Sequence, residues 1–78
     1  MSKFFASSFK KTARHGVLAL KYTGKRLPLQ VMHSTAGFYL GTENGKGPVS
    51  RESFEYYLSH EAAERALADE TWTQRAHC

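Results

Sequence analysis

The distribution of apolar and polar residues near the start of the chain predicts a helix followed by a strand. On a helical wheel, residues 2–15 place aromatic and small side chains on one side and cations on the other. Ser2 is a suitable N-cap, and Gly16 suits the position after the last turn. We therefore predict a helix over residues 2–15, with a frayed or partly extended segment as the alternative. Residues 17–22 alternate between two faces and predict a strand.

Three further extended segments are predicted, over residues 27–33, 37–42 and 48–57. The central segment is rich in aromatic residues and is bounded by glycines. Between the last two segments, Asn44-Gly45 provides the positive φ angles that a tight turn requires. These two segments should therefore pair as an antiparallel hairpin.

The last predicted element is a helix over residues 60–70, which Ser59 can cap. Its narrow apolar stripe consists of Ala63, Ala66 and Leu67, with Ala62 as an optional fourth member. Small side chains on such a stripe allow a close approach to a sheet, and Trp72 beyond the helix is expected to close the core. The chain is then one α+β domain over residues 1–78. It has an N-terminal helix, a three- to four-stranded antiparallel sheet and a C-terminal helix packed on the sheet.

Length and composition limit both the core and the expected setting of the protein. The chain has 78 residues and one cysteine, Cys78, so it forms a single domain with a modest core and no internal disulfide. A lone cysteine fits a bystander thiol in a reducing cytosol, with an intermolecular bridge as the alternative. Homodimerisation is a further source of stability for a domain of this size. No apolar run reaches the length of a membrane span, so we expect a cytoplasmic protein without a membrane partner.

Positive charge is concentrated in the first third of the chain. Residues 1–26 contain seven cations and no carboxylate, whereas residues 51–78 contain three cations and six carboxylates. This asymmetry predicts a surface that prefers an anionic partner, with nucleic acid as one option and a merely solvated face as the other. The candidate contacts are Lys3, Lys10, Lys11, Arg14, Lys21, Lys25 and Arg26.

A second candidate surface combines aromatic residues with an arginine. The candidates for partner contact are Phe4, Phe5, Phe9, Tyr39 and Arg51. The three phenylalanines share one side of the predicted N-terminal helix, where they could dock on a partner protein or a second copy of the chain. Arg51 lies in the polar run of residues 50–53. An exposed edge with an Arg51–Glu52 ion pair is the favoured interpretation of that run, and a recognition surface is the alternative.

The spacing of reactive residues argues against metal binding and catalysis. The four histidines and Cys78 include no pair at the spacings typical of two ligands on one metal. No serine lies in a nucleophile elbow, and Glu52 and Glu55 fall on opposite faces of the predicted strand. Residues 41–47 superficially resemble a phosphate-binding loop but lead into a proline and a strand rather than into a helix. We expect no enzyme activity, metal, cofactor or small-molecule substrate.

Residues 36–42, 47–53, 55–56 and 72–75 resemble segments of small uncharacterised proteins carried on bacterial plasmids and prophages. The resemblance extends over residues 16–75. It implies a bacterial cytoplasmic setting and an accessory role on a mobile element, and it brings no catalytic or binding residues to transfer. The leading hypothesis is a small non-enzymatic binding module that acts through protein–protein contacts. The alternative is a nucleic-acid-binding protein that uses the basic N-terminal third.

Overall fold

The computed structural model describes residues 14–77, which form two helices and one antiparallel sheet. The elements in chain order are α1 (Val17–Thr23), β1 (Gln30–Ser34), β2 (Gly37–Glu43), β3 (Pro48–Arg51) and α2 (His60–Asp69). The strands are ordered β1-β2-β3, so each strand pairs with its neighbour in sequence. The predicted α+β class is confirmed. The helix predicted over residues 2–15 lies outside the described residues except for its last two positions.

Two tight connections fix the register of the sheet. β1 and β2 meet at the pair Ser34–Gly37, and β2 and β3 are joined across the predicted Asn-Gly turn. In that turn Gly45 has a φ of 90°, and the Asn44 side chain accepts a hydrogen bond from Lys46 N at 2.9 Å. The predicted antiparallel pairing of these two strands is therefore confirmed.

The segment predicted as a strand over residues 17–22 is instead helix α1, so that prediction was wrong. Main-chain hydrogen bonds join the residues before α1 to the residues after it, and they close a loop that contains the helix. Gly16 N donates to Leu27 O at 2.8 Å, and Leu29 N donates to Arg14 O at 3.3 Å. The backbone before α1 is therefore extended at Arg14, where the sequence predicted the end of a helix.

Both ends of α1 depend on features beyond its apolar pattern. At its start, Leu18 N and Ala19 N donate to the side chain of Glu52, which follows β3. At its end, Gly24 has a φ of 76°, and its amide donates to Leu20 O at 2.9 Å. Leu18 and Ala19 are both buried, whereas a strand would have placed these neighbours on opposite faces.

β1 starts later and β3 ends earlier than the sequence predicts. β3 ends at Arg51, because Glu52 N and Ser53 N both donate to Leu40 O, at 2.8 and 3.0 Å. Glu52 and Ser53 thus lie opposite the single residue Leu40 of β2. This is the geometry of a β-bulge, and it interrupts the ladder of hydrogen bonds between β2 and β3. Pairing with β2 returns only in an isolated bridge at Tyr57. The three residues between Ser53 and Tyr57 therefore lie outside the ladder.

Helix α2 begins where the sequence predicts. Ser59 Oγ accepts a hydrogen bond from Ala62 N at 3.1 Å, which confirms the predicted cap. Ala63 and Ala66 of the predicted apolar stripe are buried. The helix ends just before Glu70, which adopts a left-handed conformation with a φ of 58°.

The buried apolar core of the described residues is small. It consists of Leu18, Ala19, Tyr39, Leu40, Ala63 and Ala66. Four polar residues are buried as well: Thr42, Ser50, Glu52 and Ser53. Trp72, which was expected to close the core, is only half-buried and lines a cleft at the surface.

Candidate binding surfaces

A buried carboxylate joins three parts of the structure. Glu52 has no exposed surface, and its two oxygens accept four hydrogen bonds. Oε1 accepts from Leu18 N at 3.0 Å and from Gln74 Nε2 at 2.8 Å. Oε2 accepts from Ala19 N at 3.0 Å and from Ser50 Oγ at 2.6 Å. One side chain thus links α1, β3 and the segment that follows α2.

The surroundings of Glu52 favour its ionised form. Burial opposes ionisation and by itself would raise the pKa of Glu52. The hydrogen bonds from backbone amides and polar side chains outweigh burial, so the pKa lies below its ordinary value. All four donors point at a charged acceptor, which makes these bonds stronger than bonds between neutral groups.

Arg51, a predicted partner contact, lies against the irregular segment after β3. Its Nη1 donates to Ser53 O at 2.9 Å and to Phe54 O at 3.0 Å. Its guanidinium carbon lies 4.5 Å from the centre of the Tyr56 ring, which is a cation–π contact. The ion pair with Glu52 that the sequence favoured does not form within residues 14–77, because Glu52 faces α1 instead.

Three large apolar side chains at alternate positions after β3 are exposed. The exposed fractions are 69% for Phe54, 43% for Tyr56 and 101% for Leu58. We call these three residues the apolar strip. Tyr39, another predicted partner contact, is buried, and its ring meets that of Tyr56 edge to face with centres 5.9 Å apart. The structure therefore places Tyr39 behind the apolar strip rather than at its surface.

A surface cleft of about 450 Å³ combines cations with an indole ring. It is lined by Arg14, His15, Val17, Arg26, Leu29, Trp72 and Gln74. We call it the basic cleft, because the described part of the chain contributes two arginines and no carboxylate to its lining. The lining comes from the segments that flank α1 and from the segment that follows α2.

Main-chain pairing brings the two arginines of the basic cleft together. The stretch that contains Arg14 pairs with the stretch that follows Arg26, through an isolated bridge between His15 and Pro28. Arg14 also forms an ion pair with Glu70, with an Nη2–Oε1 distance of 2.9 Å. Arg26 is exposed and forms no ion pair within residues 14–77. The cleft therefore offers one oriented guanidinium and one free to move.

The segment after α2 runs beside the bulge that ends β3. Ser53 and Gln74 form an isolated antiparallel bridge. Thr73 N and Oγ1 donate to the Glu55 carboxylate at 2.9 and 2.7 Å. The Thr73 side chain thus bonds to Glu55, whereas its neighbours Trp72 and Gln74 line the basic cleft.

The other predicted cations are not gathered in this cleft. Lys21 and Lys25 are exposed, and Lys21 Nζ lies 5.6 Å from the centre of the Tyr22 ring. The predicted contacts outside the described residues are Lys3, Phe4, Phe5, Phe9, Lys10 and Lys11. Of the predicted cations that the structure describes, Arg14 and Arg26 are the two that line one cleft.

Sequence reasoning did not identify four of these surface residues: Phe54, Leu58, Trp72 and Gln74. A signal was present for the apolar strip, because its residues recur with a period of two. It was interpreted as a strand rather than as an exposed surface. No local signal marks Trp72 and Gln74, because their position depends on the distant pairing with Ser53.

Comparisons with known proteins leave this chain without an assigned family. No family model matches the sequence, and neither a curated protein nor a solved structure is significantly similar to it. In the part of the chain that the structure describes, no group of three or more His, Cys, Asp or Glu side chains is placed to hold a metal ion. Neither of the helices within residues 14–77 has the length and apolar character that a membrane crossing requires.

Proposed function

We propose that this protein is a small non-enzymatic binding module that acts through protein–protein contacts, and that its apolar strip associates with a second copy of the chain. The observation that supports this proposal is the exposure of three large apolar side chains at alternate positions of one segment. Removing such a side chain from water is worth roughly 1.5–3 kcal/mol. Aromatic residues and arginine are also enriched among the contacts that contribute most to binding.

Tyr56, the central residue of the apolar strip, is held in place before any partner binds. The Tyr56 ring lies between the Arg51 guanidinium, 4.5 Å from its centre, and the buried Tyr39 ring at 5.9 Å. Arg51 is itself fixed by hydrogen bonds to the Ser53 and Phe54 carbonyls. A side chain that is already ordered loses less conformational entropy on association, so more of the burial energy contributes to affinity.

The small core favours association with a second copy. Within residues 14–77, three of the six buried apolar residues are alanines: Ala19, Ala63 and Ala66. So little buried apolar volume in the described part of the fold makes stabilisation by a partner subunit a natural expectation for a chain of 78 residues. Burying the apolar strip in a symmetric contact would add the apolar area that the core lacks.

The non-enzymatic part of the proposal is supported by the hydrogen bonding of Glu52. Four donors occupy its two oxygens, and its pKa is lowered, so it is poorly suited to accept or donate a proton in a reaction. The proposed bacterial setting and the accessory role on a mobile element are supported by the sequence resemblance, and the proposed cytoplasmic location is also supported by the single cysteine.

Two finer features of the fold belong to the same proposal. We propose that α2 packs on the sheet, which is supported by the burial of Ala63 and Ala66 and by the edge-on contact of His60 with Phe38 of β2, 5.9 Å between ring centres. We also propose that the N-terminal helix predicted over residues 2–15 precedes the extended backbone at Arg14 and His15, which is supported by the amphipathic pattern of its sequence.

Sedimentation velocity at increasing protein concentration tests the proposed self-association. We expect the wild-type chain to shift reversibly from monomer to dimer. The double variant Phe54→Ser/Leu58→Ser should remain monomeric, because it removes exposed apolar area without touching the core. Tyr22→Ser is the matched control: it removes an aromatic ring that is 54% exposed outside the apolar strip, and it should leave dimerisation unchanged.

Circular dichroism of each variant establishes that the fold is intact. A wild-type chain that stays monomeric at the highest attainable concentration would contradict the proposal. So would a dimer that the double variant leaves intact, because the contact would then lie elsewhere.

A second candidate function is nucleic-acid binding, the alternative predicted from the distribution of charge. One observation favours it: Arg14 and Arg26 line the same cleft as Trp72. Cations beside an aromatic ring are the combination with which many proteins hold single-stranded nucleic acid.

A further inference from the structure

We infer that the basic cleft binds one nucleotide of a single-stranded nucleic acid, with the base stacked on Trp72 and the two phosphates that flank the nucleotide contacted by Arg14 and Arg26, one by each. This inference specifies the site and ligand class of the second candidate function. It is independent of the apolar strip, which shares no residue with the lining of the cleft.

The lining of the cleft calls for a ligand that is both anionic and flat. Arg14, Arg26 and His15 provide hydrogen-bond donors, and none of the lining residues within 14–77 carries a negative charge. The Trp72 indole offers a planar surface, beside the apolar side chains of Val17 and Leu29. A nucleotide combines a phosphate with an aromatic base, and a volume of about 450 Å³ suits a ligand of this size.

Arg14 keeps donors available although it is paired. Its ion pair joins Nη2 to Glu70 Oε1, with both side chains 36% exposed. A guanidinium has five N–H donors in a fixed planar arrangement, so the pair orients Arg14 and leaves other donors for a phosphate. Arg26 makes no ion pair within the described residues and can close on the ligand from the other flanking segment.

Gln74 is positioned to contact the edge of a base. Its Nε2 donates to Glu52 Oε1 at 2.8 Å, and the carboxylate fixes this donor because it is buried and ionised. This arrangement leaves Gln74 Oε1 free to accept a hydrogen bond, since it accepts none from residues 14–77. The exocyclic amino groups of nucleobases and the N3–H group of thymine are donors of the matching kind.

The geometry selects a single strand over a duplex. A base can stack on Trp72 only when its face is free, and in a duplex both faces are covered by neighbouring base pairs. An acidic peptide would satisfy the arginines but would present no flat ring to the indole. Oligonucleotides should therefore bind more tightly than acidic peptides of equal charge.

The fluorescence of Trp72 reports directly on the site, because it is the only tryptophan in the chain. Titration of the full-length protein with unlabelled oligothymidylate should quench this fluorescence in a saturable manner. With two phosphate contacts, the logarithm of affinity should fall with the logarithm of salt concentration with a slope of about −1.4, or about sevenfold between 50 and 200 mM salt. A duplex of equal length should quench far less.

Three variants then locate the contacts, with binding measured by anisotropy of a labelled oligonucleotide. Arg26→Gln should weaken binding and reduce the salt slope by about 0.7, because one phosphate contact is lost. Trp72→Ala should weaken binding by about tenfold, the loss expected for one stacked base. Lys46→Gln is the matched control: it removes one charge from the exposed hairpin turn and should leave the affinity unchanged.

Several results would overturn the inference. One is the absence of tryptophan quenching at low salt. Another is an oligonucleotide that binds Arg26→Gln and Lys46→Gln with equal affinity. The contacts with the oligonucleotide would then lie outside the cleft. A stronger response to polyglutamate than to oligothymidylate would identify an acidic peptide as the ligand instead. None of these results alters the sedimentation test of the apolar strip, so the two proposals can fail separately.

Discussion

Replacing Glu52 by glutamine tests whether one buried carboxylate holds α1 and the segment after α2 to the sheet. The change keeps the size of the side chain, removes its charge and turns one acceptor oxygen into an NH₂ donor. Each Glu52 oxygen accepts one α1 amide and one side-chain donor. Either orientation of the new amide therefore turns an N–H group towards an α1 N–H group.

The expected cost follows from the bonds that are lost. Glu52→Gln removes at least two hydrogen bonds to a charged acceptor, each worth about 1.5–3 kcal/mol. The free energy of unfolding should then fall by about 3 kcal/mol or more, out of a typical total of about 5–15 kcal/mol. For a domain of this size, that loss lowers Tm by about 12–24 °C.

Thermal unfolding at neutral pH, followed by far-ultraviolet circular dichroism, measures this loss. Glu43→Gln is the matched control, because it makes the same chemical change at an exposed position at the end of β2. The control should unfold close to the wild-type Tm. If Glu52→Gln also unfolds within a few degrees of the wild type, the carboxylate does not hold these segments together.

The pH dependence of Tm for the wild type and Glu52→Gln tests whether the ionised carboxylate is the stabilising group. The pKa of Glu52 is lower in the folded protein than its ordinary value, so its contribution to stability is present above the ordinary pKa. That contribution is lost as pH falls through about 4.3 towards the folded pKa. The difference in Tm between wild type and Glu52→Gln should therefore shrink on acidification. A difference that stays constant from neutral to acidic pH would show that Glu52 is not the group responsible.

Two further substitutions test the ends of the helices by urea unfolding. Gly16→Ala should destabilise the fold by about 1–3 kcal/mol or more, because the new Cβ would lie 2.5 Å from Thr42 Cγ2 and 2.6 Å from Glu52 Oε2. An unchanged free energy of unfolding would contradict this close approach. Ser59→Ala should cost about 1 kcal/mol, because Ala62 N loses its acceptor. Ser59→Asp keeps an acceptor at the cap and should restore most of that loss.

Local signals in the sequence predicted the elements whose ends are fixed by residues close by. The cap that starts α2 joins Ser59 to Ala62, and the hairpin between β2 and β3 turns at Asn44-Gly45. The antiparallel pairing of β2 with β3 and the α+β class followed from these signals, because each depends on bonds between residues close together along the chain. The concentration of cations in the first third of the chain also pointed to Arg14 and Arg26, the two predicted cations that line the basic cleft.

Only the tertiary structure decided the elements that depend on distant partners. The seven residues of α1 are too few to form a stable helix alone, and their alternating pattern favoured a strand. Glu52 accepts the α1 amides from 34 and 33 positions away in the chain, and this bonding is what the sequence pattern could not show. The basic cleft depends in the same way on pairing that brings Trp72 to the arginines. A local sequence pattern depends only on residues that are close together in the chain. Helix α1 and the basic cleft depend on contacts between residues that are far apart in the chain.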